Sequence, residues 1–147
     1  MFTKNKYTIY FYLILFFIVF LLLITANYSL SISYKEALNL YYNSSILSII
    51  TNSFTYIFGH NDLALRVPFI IFYTLSVILM FLITKDYFKY EKDRFISVLI
   101  FMSLPGVLSA SLLVNTAIIV TFFTLLYIYF YQKHKKHLYY LLPFLLL

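Results

Sequence analysis

The chain has 147 residues, of which 63% are hydrophobic and 11% charged, with a net charge of +6 and no cysteine. So apolar a composition excludes both a soluble globular domain and a disordered chain. The lack of cysteine removes disulfides, thiolate metal sites and a cysteine nucleophile from consideration.

The apolar residues form stretches free of Lys, Arg, Asp, Glu and His at 7–26, 67–83 and 95–131. A hydrocarbon core roughly 30 Å thick takes about 20 residues of helix to cross. The first two stretches each predict one span and the third predicts two. A further apolar run at 138–147 reaches roughly 15 Å as a helix, half a bilayer. The expectation is an all-α integral membrane protein, a single membrane domain of about four transmembrane helices plus a partial fifth. The run that stops at Leu147 further predicts an N-terminal fragment of a longer protein.

The span at 7–26 follows Lys4 and Lys6. It exceeds the apolar core of a cleavable signal and lacks a small-x-small site after it, so a retained anchor is expected. Residues 27–66 then form a long loop with two helical patterns. One covers 34–42. The other follows Asn43-Ser44-Ser45 and sets Ile46, Ile50, Phe54 and Ile57 on one stripe, with Leu47 and Phe58 beside it. Ser48, Thr51, Asn52 and Ser53 fill much of the remainder, which predicts an amphipathic helix lying in the membrane interface. Gly59 ends it.

The second span is expected at 67–83, with Pro68 in its first turn, where a missing N–H costs nothing. Pro105-Gly106 interrupts the third stretch. Residues 95–104 alone are too short to cross, so a bent crossing over 95–112 is expected. A tight turn near Val114-Asn115 and a fourth span over 114–131 should follow.

Nine of the eleven basic residues fall on alternate connections: Lys4 and Lys6, then Lys85, Lys89, Lys92 and Arg94, then Lys133, Lys135 and Lys136. Only Lys35 and Arg66 fall on the other side. By the positive-inside rule the N-terminus and the 84–94 loop are cytoplasmic and residues 27–66 lie outside. The positive charge thus serves topology, and no nucleic-acid partner is implied.

Few residues carry chemistry. Glu36 is the only acid in the first half of the outer loop; it is a base, a cation ligand or an exposed helix residue beside Lys35. Asp62 and Arg66 stand four apart and can pair on one helix face, while Arg66 alone would suit a phosphate. His60 has no partner at metal-ligand spacing and reads as a turn histidine. Asn115 and Thr116 sit at an apolar junction, where they can satisfy backbone groups. The run from Lys133 to His137 reads as a basic clamp facing anionic lipid. With two glycines in the chain, no phosphate-binding glycine loop can form.

The order of these features resembles the N-terminal part of the membrane-embedded GT-C glycosyltransferases of the family 39 type, which include protein O-mannosyltransferases and the aminoarabinose transferases of lipid A. The resemblance rests on Ser33-Tyr34-Lys35-Glu36-Ala37 and above all on the segment FGHNDLALRVPFIIFYTLSVILMFLI. In that segment Gly59, Ala64, Arg66 and Pro68 match the family's entry into the second span. Leu104-Pro105-Gly106 followed by Asn115-Thr116-Ala117 is similar to a later connection.

The resemblance implies transfer of a sugar from a polyprenyl-phosphate donor to an acceptor on the outer side of a membrane, here a bacterial inner membrane. Glu36 would be the catalytic carboxylate and Arg66 the donor-phosphate ligand, with Lys35, His60, Asp62 and Asn115 as supporting outer-face residues. A divalent metal assists some members; no metal ligands are assigned here. Two departures stand out. Lys35 replaces the usual Asp of an Asp-Glu motif, and Asn115 replaces a second acid. The chain alone is therefore expected to be inactive, with a second polypeptide supplying missing helices. The rival reading is a non-catalytic membrane protein acting as an assembly or regulatory partner; a transporter is a third.

Overall fold

The computed structural model describes residues 3–28, 33, 36, 46–59 and 61–133. Its elements are α1 (Thr3–Tyr28), α2 (Ile46–Phe58), α3 (Asp62–Tyr87), α4 (Glu91–Ser103), α5 (Pro105–Leu112) and α6 (Ala117–Lys133). No strand occurs among the described residues. The helical pattern at 34–42 apart from Glu36, the basic residues after Lys133 and the apolar run at 138–147 lie outside the described residues, as do Lys35 and His60.

The chain is an all-α membrane protein. α1 and α3 are each long and apolar enough to cross a bilayer, and α4 with α5 makes a third crossing if the two are taken as one span bent by 51°. α6, at 17 residues, is near the lower limit of about 17 for a spanning helix.

α3 is the central element and packs against each of the other five helices. α1 runs antiparallel to it. Near one end Phe11 stacks on Phe81, with ring centroids 4.1 Å apart and planes 3° from parallel; near the other, Arg66 reaches the Ala26 carbonyl. α4 is also antiparallel to α3, since Arg94 meets Phe81 and Tyr73 meets Met102. α6 runs parallel to α3, with Phe72 against Phe122 early on and Leu79 and Ile83 against Leu125 later. The bundle thus has two unlike ends. One carries Lys6, Lys85, Lys89, Lys92, Arg94 and Lys133; the other carries Arg66 and Glu36.

Hydroxyls within the spans are satisfied locally. Thr74, Ser76 and Thr84 each donate to the carbonyl one turn back, so their burial leaves no orphan donor in the hydrocarbon.

Three features of the fold bear on these expectations. α3 begins at Asp62, more than a turn before the apolar run, so Pro68 lies inside the helix rather than in its first turn. Its missing N–H leaves the Ala64 carbonyl without the usual donor. The first turns of α3 lie outside the charge-free run because Ala64, Leu65 and Arg66 are buried within the protein. Second, α2 turns its hydroxyl face inward. Ser48, Thr51 and Thr55 are buried, whereas Ile49, Tyr56, Ile57 and Phe58 are exposed. Ile57, one residue of the apolar stripe, faces outward. In a membrane protein the apolar side of such a helix has lipid as its natural neighbour, and small hydroxyl residues allow close helix contact. Third, the ion pair of Arg66 is with Glu36, not with Asp62 one turn before it.

α2 ends at Gly59, which has φ +85° and gives its carbonyl to the Asn61 N–H at 3.0 Å. The nearest atom to an added Cβ would be Asn61 Nδ2 at 3.9 Å, so the demand is on the backbone, not on space. Gly59→Ala is expected to destabilise the α2–α3 hairpin by about 1–2 kcal/mol, read as a lower unfolding midpoint in an SDS titration of the micelle-solubilised protein.

Candidate functional site

Each side chain of the polar end is placed by an identifiable piece of backbone logic. The described part of α1 runs to Tyr28, and Arg66, in the second turn of α3, reaches that end: its Nη1 donates to the Ala26 carbonyl at 3.1 Å. Its Nη2 lies 3.5 Å from Glu36 Oε2. The two residues come from segments 30 positions apart.

Glu36 is held from its own side by Ser33. The Ser33 N–H donates to Glu36 Oε2 at 2.8 Å, and the Glu36 N–H donates to Ser33 Oγ at 3.3 Å. This reciprocal exchange is a capping box, the S-x-x-E arrangement that starts a helix. A third segment closes the cluster. The Val114 N–H, just past α5, donates to Glu36 Oε1 at 3.2 Å. Glu36 is 5% exposed and Arg66 2% exposed, so the pair is withdrawn from its surroundings.

This arrangement brings Glu36 and Arg66 together. Asn115 is adjacent in sequence to Val114, but its Oδ1 accepts the Ala117 N–H at 3.0 Å and so caps α6. Asp62 sits half-buried in the first turn of α3, where a negative charge suits the helix N-terminus. Lys35 and His60 are outside the described residues. Two participants were not foreseen. Ser33 was detectable, because S-x-x-E is a capping signature; Val114 was not, because a backbone N–H carries no mark in the sequence.

Both carboxylate oxygens of Glu36 accept N–H donors, Oε2 from Ser33 and Oε1 from Val114. Breaking a buried pair by deleting one partner costs several kcal/mol, because the other charge is left uncompensated. The cluster therefore ties α1, α3, the 33–36 segment and the end of α5 together. A divalent cation does not fit the donor set: one carboxylate with both oxygens engaged offers too little, and no cluster of three or more His, Asp or Glu occurs among the described residues.

An all-helical bundle with helices long and apolar enough to cross a bilayer is the architecture of a membrane protein. The comparison with known families settles the class. Residues 45–147 match the family described as dolichyl-phosphate-mannose-protein mannosyltransferase, and the chain belongs to that family of mannosyltransferase-type GT-C glycosyltransferases. The likeness read from residues 58–83 is thereby upheld at family level, while the Ser33–Glu36 capping box precedes the matched segment. No curated protein and no solved structure matches the chain.

Proposed function

We propose that the Glu36 end of the bundle is where this chain meets a polyprenyl-phosphate-linked sugar, and that the chain by itself does not complete transfer. The observation that carries the reading is the buried Glu36–Arg66 pair at 3.5 Å, which sets a guanidinium beside a carboxylate in a family defined by a lipid-phosphate sugar donor. The Arg66 guanidinium suits a phosphate. To bind there the phosphate must displace Glu36, since Arg66 is almost fully covered.

Transfer requires a base to take the acceptor hydroxyl's proton as the new glycosidic bond forms. Glu36 is the carboxylate of the cluster, but both of its oxygens are already taken by N–H donors, so neither is turned to an acceptor hydroxyl. Lys35 and Asn115 are not acids, so neither can replace it. The reading is therefore donor recognition without turnover. The basic residues gathered at the other end support a cytoplasmic N-terminus and an outward-facing cluster, in a bacterial inner membrane.

The test uses the purified chain in vesicles with radiolabelled polyprenyl-phosphate mannose and a hydroxyl acceptor peptide. No transfer above background is expected, while polyprenyl phosphate should protect the chain against unfolding. The protection should be lost in Glu36→Gln/Arg66→Met. Turnover abolished by Glu36→Gln would overturn the inactivity claim, and equal protection of the double variant would remove Arg66 from the donor site.

A further inference from the structure

Helix α4 stops at Ser103 and α5 starts at Pro105, with the two bent by 51°. Pro105 brings no N–H, and the bend takes the Gly106 N–H out of line with the carbonyl four residues back. The local backbone compensates only in part. Leu104 N–H turns to the Phe101 carbonyl at 3.3 Å, and Val107 and Leu108 both donate to the Leu104 carbonyl at 3.0 Å. The Met102 carbonyl receives the Tyr73 hydroxyl at 2.9 Å, and both residues are fully buried. An unsatisfied carbonyl at this depth would be costly, since no water is present to replace the donor.

Tyr73 lies seven residues after Arg66 on α3, two turns along nearly the same face. The segment from 102 to 114 is therefore fastened twice to one stripe of α3. At its start Tyr73 holds Met102; at its finish Arg66, through Glu36, holds the Val114 N–H. Among the described residues no such bond fastens the short helix between them, whose Gly106 has open space around it.

The geometry points to Tyr73 as the positioning residue of the Glu36 cluster: it fixes the break in the third crossing so that α5 delivers the Val114 N–H to the carboxylate. The role is one of conformation and stands apart from sugar transfer, so its test needs no donor or acceptor.

The absence of native cysteine allows spin labels to be placed at will. Labels at Tyr28→Cys and Leu113→Cys, both exposed positions, report the distance from the end of α1 to the end of α5. In Tyr73→Phe this distance distribution is expected to broaden or shift. It should stay unchanged in Thr74→Ala, whose lost hydroxyl bonds within its own helix. The folded-to-unfolded ratio in an SDS titration should fall roughly threefold to tenfold for Tyr73→Phe.

In a Pro105→Ala background the helix can straighten and the Gly106 N–H can serve Met102. The same Tyr73→Phe change should then lose most of its effect. An unaltered label distance in Tyr73→Phe, or an equal stability loss with and without Pro105, would overturn the proposal.

Discussion

Arg66→Met is expected to lower the stability of the folded bundle by roughly 3–5 kcal/mol, the largest effect of any single substitution among the residues discussed. The reason is not the strength of the ion pair, whose closest approach is 3.5 Å. It is what the substitution leaves behind. Glu36 would remain buried and charged with only two backbone donors, and the Ala26 carbonyl at the end of α1 would lose its partner. The double variant Glu36→Gln/Arg66→Met removes the stranded charge, and about half of the loss should return. Gln keeps an oxygen for one of the N–H donors, so the capping arrangement is not erased. Reversible unfolding in mixed micelles, carried out on the wild type, both single variants and the double, gives the coupling directly. An Arg66→Met protein within about 1 kcal/mol of wild type would show that the pair is solvated and that the cluster ties nothing together.

What could be read in advance follows from which forces leave a trace in one dimension. The two long apolar helices were legible because lipid forbids charge over a long run, and the break at Pro105-Gly106 because proline cannot donate. The amphipathic pattern of α2 was legible too: the spacing of apolar residues says that two faces differ, and here Thr51 is buried and Ile57 exposed. Arg66 stood out, with Lys35, as a cation away from the other basic residues, yet its partner did not. Asp62 is the neighbour by helix spacing, whereas Glu36 arrives through the tertiary fold. The start of α3 was placed late because the charge-free run marks what faces hydrocarbon, and Asp62 to Arg66 face protein and the loop instead. The Val114 contribution had no signal at all, being a property of where α5 ends and not of the residue's type.

At the opposite end of the bundle, Arg94→Ala should destabilise the α3–α4 hairpin by about 2–4 kcal/mol, and Arg94→Lys by about 1–2 kcal/mol. Arg94 donates from Nε at 3.0 Å and from Nη2 at 2.7 Å to the Phe81 carbonyl. Its guanidinium centre lies 3.6 Å from the centroid of the Phe81 ring, which in turn stacks on Phe11 of α1. One residue thus joins three helices where the chain passes from α3 to α4 in a three-residue connection, 88–90. The same carbonyl also accepts the Thr84 hydroxyl at 3.1 Å, so truncating Arg94 does not orphan it; what is lost is the charged donor and the stacked plane. Lysine keeps the charge but carries its three N–H donors on one nitrogen and has no plane, which is why the conservative change is not expected to be silent. A cycle with Phe81→Leu separates the two parts, because it deletes the ring while keeping the carbonyl. The penalty for Arg94→Lys should shrink in that background by the stacking share and persist by the hydrogen-bonding share. Thermal unfolding of the four proteins in one detergent measures both. Wild-type stability in Arg94→Lys would mean that a diffuse positive charge is all the hairpin requires, and that the bidentate geometry contributes nothing.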